Sequence, residues 1–309
     1  MKITYSVIAP IYNEIDNLPE LYRRVKEVMD ASNETWELIL VDDGSTDGST
    51  DKIRELAKQD KTIRPVIFAR NFGHQVAITA GWDYARGDAI VIIDADLQDP
   101  PDVILELAKK WKEGYEVVYA VRSEREGETW FKKFTAAMFY RLIYSITDVK
   151  IPVDAGDFRL MDRKVVDVLK KMKERHRFPR GMSAWVGFKQ IGVTYRREAR
   201  RAGVTKYPFQ KMVRLALNAI TSFSYFPLQV ATFFGFISAG ISILAIPVVI
   251  ILRLIGSHFF EGQTTTLISV LFLGGVQLIS LGILGEYIGR LYDEAKGRPL
   301  YIVREEPEE

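Results

Sequence analysis

Cysteine is absent from the 309 residues, which excludes a disulfide framework, a thiolate nucleophile and a cysteine-ligated zinc site. Histidine is scarce. His74, His176 and His258 lie far apart, so no histidine-rich metal centre is expected, and any metal should be a hard ion held by oxygen. An excess of one charge is also missing: 42 Lys and Arg face 40 Asp and Glu, a formal net charge of +2. That balance argues against a nucleic-acid binder. No Gly-x-Gly-x-x-Gly follows the first strand-like run and no Gly-x-x-x-x-Gly-Lys loop occurs, so the dinucleotide-binding and P-loop folds lose their main signatures. With 48% hydrophobic and 27% charged residues, the chain is globular rather than disordered.

Long charge-free runs are confined to one end. No charged residue occurs from Val230 to Leu252, a run that as a helix spans about 34 Å, enough for a bilayer core of about 30 Å. A second such run extends from Thr264 to Gly285, with Gln277 its one strongly polar residue. Too little chain remains to bury two such helices in a soluble core, so both read as transmembrane. The N-terminus enters a strand-like run directly, without a signal sequence. Arg200, Arg201, Lys206, Lys211 and Arg214 precede the first span, and Arg290, Lys296 and Arg298 follow the second. The connecting loop Ser257–Gln263 carries no Lys or Arg. The positive-inside rule then places both termini in the cytoplasm of a multi-pass inner-membrane protein. Between soluble part and spans, Phe209, Met212, Val213, Ala216, Leu217, Ile220 and Phe223 share one helical face and Lys211, Arg214, Asn218 and Thr221 the other. This pattern suits an interfacial helix lying in the headgroup layer, or a helix packed on the soluble domain.

The first two-thirds alternate strand-like and helical runs. Strands are expected at Ser6–Pro10, Leu38–Val41, Pro65–Ala69, Ala89–Ile93 and Glu116–Ala120, and helices at Leu18–Met29, Thr50–Ala57, Gln75–Tyr84 and Val103–Trp111. Such alternation is the pattern of a mostly parallel sheet, whose ligands sit beyond the carboxyl ends of the strands. Those ends are polar here: Pro10, Tyr12, Asn13 and Glu14; Asp42, Asp43, Gly44 and Ser45; Arg70, Asn71 and Gly73; then Asp94, Ala95, Asp96, Leu97, Gln98 and Asp99. Asp-Asp-Gly-Ser alone is ordinary turn chemistry, and a lone Asp-x-Asp is a weak motif. Four polar strand ends in succession point to a divalent ion on carboxylates holding a nucleotide diphosphate.

Ala9-Pro10-Ile11-Tyr12-Asn13-Glu14, Val41-Asp42-Asp43-Gly44-Ser45, Arg70-Asn71-Phe72-Gly73, Asp94-Ala95-Asp96-Leu97-Gln98-Asp99-Pro100 and Gly156-Asp157-Phe158-Arg159-Leu160-Met161-Asp162, followed by two spans, resemble glycosyltransferase family 2. Within it the chain is most similar to the polyprenyl-phosphate glycosyltransferases of the bactoprenol glucosyltransferase branch, relatives of dolichyl-phosphate mannose synthase. The resemblance implies an α/β GT-A domain over residues 1–207, an amphipathic interfacial region over 208–228, a transmembrane hairpin over 229–290 and a cytoplasmic tail over 291–309. It also implies a nucleotide-sugar donor, Mg2+ or Mn2+, inverting transfer to a polyprenyl phosphate in the bilayer, and a homo-oligomer. The Gln-x-x-Arg-Trp motif of the processive synthases is missing, which counts against polymerisation.

By the same resemblance, Asp94, Asp96 and Gln98 hold the metal, with Asp96 also counted as catalytic. Pro10, Tyr12, Glu14, Asp42, Asn71 and Ala95 line the donor site, Asp42 accepting from the nucleobase. Asp157 is the carboxylate near the acceptor, as a base or as an orienting group, with an ion pair to Arg159 as the structural alternative. Arg122 matches a ligand of the lipid phosphate, and Lys132 and Lys133, on the aromatic-rich helical pattern that follows, are assigned to the same acceptor phosphate. Arg200 and Lys206 resemble a loop that closes over the donor diphosphate, although Val204-Thr205 departs from the usual acidic residue and Ser. UDP-glucose is the favoured donor, with GDP-mannose or a modified UDP-arabinose as alternatives. A non-catalytic membrane-anchored nucleotide-binding scaffold is the distant alternative. A two-span transporter is disfavoured, because the spans lack ionisable residues.

Overall fold

A computed structural model of the chain describes residues 2–123, 155–198, 224–255 and 263–307. The chain divides into two compact units. The first, to which the described residues before 199 and from Arg298 onward belong, is built on one eight-stranded sheet ordered β7-β5-β6-β4-β1-β2-β3-β8. Its strands are β1 (Tyr5–Ile11), β2 (Trp36–Asp42), β3 (Ile63–Phe68), β4 (Ala89–Ile92), β5 (Val117–Arg122), β6 (Ala155–Asp162), β7 (Gln190–Tyr195) and β8 (Val303–Glu305). β3, β2, β1 and β4 run parallel, and β5 pairs in parallel with β7, whereas β6 lies antiparallel between β4 and β5 and β8 lies antiparallel on β3.

The helices are α1 (Leu18–Ala31), α2 (Ser49–Gln59), α3 (His74–Tyr84), α4 (Val103–Lys112), α5 (Arg163–Lys171) and α6 (Pro179–Trp185). Each long helix turns one apolar stripe inward: Leu18, Leu21, Val25, Val28 and Met29 on α1, and Val103, Ile104, Leu107 and Ala108 on α4. The central strands β1 and β2 are buried throughout, as unbroken apolar runs covered on both faces should be. α3 packs directly on β1, where a β-carbon at Gly81 would collide with the Ile8 side chain.

The amino ends of the parallel strands are fixed by one buried carboxylate. Glu37 on β2 is 2% exposed and accepts from Ser6 Oγ on β1 (2.5 Å), from Arg86 N and Nε (2.7 and 3.0 Å) and from Arg64 Nη1 on β3 (3.3 Å). Ser6 Oγ in turn accepts from Gly87 N at 2.7 Å, just before β4. Four strands are thereby pinned at the end away from the polar loops.

The second unit contains α7 (Phe226–Leu254) and α8 (Gln263–Ala295). Both are long and apolar enough to cross a membrane, over Phe226–Leu252 and Ile268–Ala295. Phe236 is 75% exposed and Leu244 73%, a surface that water would not tolerate on a folded protein. Thr232, Ser242 and Ser280 donate to carbonyls four residues back, so these hydroxyls need no water. Of residues 208–228, read above as interfacial, 208–223 lie outside the described residues and α7 begins at Phe226. The segment from Arg298, within the C-terminal tail read above over 291–309, belongs to the first unit, because its backbone completes the open edge of β3.

Replacing Glu37 by Ala leaves the nearly buried Arg64 guanidinium without its carboxylate. The substitution is expected to cost about 3–5 kcal/mol of unfolding free energy, measurable by denaturant titration of the full chain.

Candidate active site

The polar strand ends meet because their loops are stitched to one another. After β1, Asn13 adopts φ 54° and donates from its backbone N–H to Ser45 Oγ (3.0 Å), while its side-chain Oδ1 accepts from Thr46 N (2.8 Å). Glu14 N donates to Ser49 Oγ (3.1 Å), and Glu14 Oε2 accepts from Asn17 Nδ2 (2.7 Å). After β2, Gly44 sits at φ 70°, where an added β-carbon would lie 2.5 Å from the Arg70 carbonyl carbon. Only glycine lets this turn touch the loop after β3. Asp43 secures the contact by accepting from Phe72 N (2.6 Å) and Gly73 N (2.9 Å). Burial pushes its carboxyl up to about 6 despite those two N–H groups.

Pro10 and Asp42 are buried, Tyr12 is 40% exposed, and Asn71 is exposed on the loop after β3. Both carboxylate oxygens of Asp42 already accept internally, from Ser45 N (3.0 Å) and Thr50 Oγ1 (2.5 Å).

The decisive geometry comes from the antiparallel register of β4 and β6. Ile92 pairs with Arg159, so two residues further along the chain Asp94 arrives opposite Asp157. His74, the first residue of α3, lies between them, with Nε2 3.6 Å from Asp94 Oδ1 and 3.5 Å from Asp157 Oδ2. Asp157 is 3% exposed and is gripped by Arg180 of α6, whose Nε and Nη2 donate to its two oxygens at 2.8 and 2.9 Å. Burial opposes charge on Asp157, but Arg180 and His74 outweigh it and hold the carboxyl well below the usual range. Burial likewise opposes a protonated His74, yet Asp157 and Asp94 push the imidazole up to about 9. Asp94 behaves in the opposite sense: burial pushes it up to about 6, with Asp99, Asp157 and Asp96 adding repulsion against the attraction of His74.

The Asp157–Arg159 ion pair does not form. Arg159 is buried and donates to Gly156 O (2.7 Å), Ser183 Oγ and Asp157 O (3.3 Å), and burial pushes its guanidinium down to about 10.

The turn after β4 supplies the remaining carboxylates. Asp96 Oδ1 accepts from Gln98 N (3.1 Å), and Arg197 Nη2 lies 3.9 Å from Asp96 Oδ2. Asp99 is buried and accepts from the Tyr195 hydroxyl, with Arg197 Nε 3.4 Å away. Arg122, at the end of β5, passes over Gly156 and reaches the Tyr195 hydroxyl, which places it beside this turn. Among the described residues no group of three or more His, Asp or Glu is assembled around an ion position. Asp94 Oδ1 is nevertheless buried without a hydrogen-bond partner, a hard oxygen acceptor next to a second carboxylate. The donor set fits Mg2+ or Mn2+ provided that substrate phosphates and water complete the shell, as is usual for Mg2+.

The structure therefore brings together Asp94, Ala95, Asp96, Gln98, Asp157 and Arg122. Lys132, Lys133, Arg200 and Lys206 lie outside the described residues. His74, Arg180, Tyr195 and Arg197 were not singled out for the site from the sequence. His74 carried a signal, since it directly follows the Arg70–Gly73 motif; Arg180 carried none.

The mostly parallel sheet, with an antiparallel strand in its interior and an Asp-x-Asp turn beyond β4, has the GT-A glycosyltransferase arrangement expected from the sequence. The profile described as Glycosyl transferase family 2 matches residues 6–169. The chain is 54% identical over 302 residues to the uncharacterized glycosyltransferase YkcC of Bacillus subtilis, covering 98% of this chain and 94% of that protein. It is 44% identical over 306 residues to the bactoprenol glucosyl transferase of Shigella phage SfV, covering 99% of each. Among solved structures, a mannosyl-3-phosphoglycerate synthase from Rubrobacter xylanophilus aligns with a TM-score of 0.48 at 18% identity, over 71% of this chain and 72% of that one. The chain belongs to glycosyl transferase family 2.

The raised His74 gives a pH dependence of defined sign. A folded-state value near 9 against an ordinary 6.5 means that its stabilisation is complete below pH 6.5 and lost as pH rises through 9. In metal-free protein the thermal midpoint should decline across that window, and His74→Gln should flatten the decline.

Proposed function

We propose that the protein transfers a sugar from a nucleotide-sugar, UDP-glucose in the first instance, to a polyprenyl phosphate at the cytoplasmic face of a membrane, with inversion. The observation that carries this reading is the buried Asp94 Oδ1 beside Asp96, which accepts no hydrogen bond and faces only the His74 imidazole at 3.6 Å, opposite Asp157. The acceptor class is supported by the chain-long likeness to a bactoprenol glucosyl transferase and by two helices able to cross a membrane.

In this reading the donor nucleoside lies along Pro10, Tyr12, Glu14, Asp42 and Asn71, and its diphosphate reaches Asp94, Ala95, Asp96 and Gln98. Asp94, Asp96 and Gln98 would hold Mg2+ or Mn2+, which would supply positive charge for the departing diphosphate. Asp157 has both oxygens engaged by Arg180 and is a poor proton acceptor, so its role is to orient. That suffices, because a phosphate acceptor is already anionic near neutral pH and needs no strong base. Arg122, Lys132 and Lys133 meet the acceptor phosphate, and Arg200 and Lys206 close over the donor.

The membrane topology has independent support. The chain belongs to the first unit before the hairpin and returns to it from Arg298, as two crossings require. The positive flanks assign that side to the cytoplasm. A homo-oligomer assembled through the α8 glycines is part of the same reading. Gly274, Gly275, Gly282, Gly285 and Gly289 meet nothing where a β-carbon would stand, which leaves room for close helix approach.

The test is a panel of UDP- and GDP-sugars with undecaprenyl phosphate, scoring nucleotide release with and without EDTA. Asp96→Asn should lower transfer by at least about 100-fold with the fold intact, since several kcal/mol of charge stabilisation are lost. Full activity in that variant or in EDTA refutes the site. Arg122→Ala should raise the KM for polyprenyl phosphate roughly ten- to hundredfold and leave the donor KM unchanged, as loss of one charge-assisted contact implies.

A further inference from the structure

Directly after α8 the chain runs back along the edge of the catalytic sheet, where it binds the end of β3 and the helices beside it. Arg298 O accepts from Arg175 Nη1 at 2.5 Å. The Tyr301 ring stacks on Phe68, with centroids 5.1 Å apart and planes 17° apart, and its hydroxyl donates to Asp83 Oδ2 at 2.8 Å. Ile302 O accepts from Ala69 N (2.9 Å), and Arg304 Nη2 donates to Ala69 O (3.3 Å). Val303 pairs with Phe68, and Glu305 pairs with Ile67 while taking two hydrogen bonds from Arg54 of α2, at 2.5 and 3.0 Å.

Phe68 and Ala69 lead straight into Arg70–Gly73. Phe68 holds Phe72 edge-on at 5.6 Å, Arg70 lies 4.1 Å over the Phe72 ring, and the Phe72 and Gly73 amides are bound by Asp43. The strap therefore supports, from behind, the loop that presents Asn71 and abuts the Gly44 turn.

We propose that the segment following the second apolar helix is a positioning element for the donor nucleotide, with Tyr301 and Glu305 its anchoring residues. It acts through Phe68 and the 69–73 loop, and neither residue touches substrate. This inference rests on the reading of Asn71 and Asp42 as nucleotide-side residues. Its consequence is that nucleotide affinity depends on residues encoded after the membrane hairpin, whereas acceptor affinity does not.

The experiment uses the full-length protein in lipid nanodiscs, with UDP and GDP binding, donor and acceptor KM, and amide exchange over Ala69–Gly73 as readouts. Tyr301→Ala and Glu305→Ala should each weaken nucleotide binding and raise the donor KM roughly three- to tenfold, the scale of one aromatic or bidentate contact. The acceptor KM and kcat should hold, and exchange at Ala69–Gly73 should quicken in both variants. Tyr301→Phe keeps the ring on Phe68 and should restore the affinity. Unchanged exchange, a donor KM equal to wild type, or failure of the phenylalanine rescue overturns the inference while leaving the enzyme reading intact. A wild-type protein that binds neither nucleotide overturns the reading of the site itself.

Discussion

Repulsion among carboxylates is the constraint around which the catalytic unit is arranged. Asp94, Asp96 and Asp99 crowd one turn, and the β4–β6 register adds Asp157 from the side. Two like charges about 4 Å apart repel by about 4 kcal/mol even at an effective dielectric constant near 20, so such a cluster cannot stand without answering charge. The fold answers from three directions: His74 from the start of α3, Arg180 from α6, and Arg197 from the chain just beyond β7. The answers are unequal. Asp157 is fully compensated and stays ionised, whereas Asp94 keeps an oxygen that accepts no hydrogen bond and a raised proton affinity. The imbalance falls at the position where a cation would be most stabilised.

The two ends of the sheet are built on opposite principles. At the amino ends Glu37 is saturated by Ser6, Arg64 and Arg86, and nothing is left for a ligand. At the carboxyl ends the polar groups bind one another loop to loop, with Asp43 joining β2 to the loop after β3 and Ser45 joining β2 to β1. Rigid amino ends let the loops at the other end hold their relative positions without a packed core of their own.

Strands β1 to β5 and helices α1 to α4 are legible in the sequence because their apolar runs are uninterrupted and bounded by polar turns. β2 starts at Trp36 rather than Leu38 and β5 extends to Arg122, the usual imprecision at element ends. β6 is harder to read, since Asp157-Phe158-Arg159-Leu160 alternates like a strand with one face in solvent, whereas the structure buries Asp157 and Arg159 as well. β8 is three residues long, Val-Arg-Glu, and carries no pattern at all; its pairing with β3 is a tertiary fact. The same division holds in the site. Residues at strand ends announce themselves through position, as Asp94 and Asp96 do. Arg180 reaches Asp157 across 23 residues of chain, from a helix whose local sequence gives no sign of it.

The late position of β8 also bears on the order in which the molecule is made. Until Val303–Glu305 leaves the ribosome, β3 is a bare sheet edge, and unpaired edges invite pairing with other chains. The segment between β7 and β8 contains both apolar helices, so at about 5–20 residues per second the edge stays open for on the order of 10 s. During that interval the nascent catalytic unit is vulnerable to aggregation, and the closing strand is made only after both apolar helices. Chains that stall before β8 would leave the edge unsealed, which sets them apart from finished enzyme.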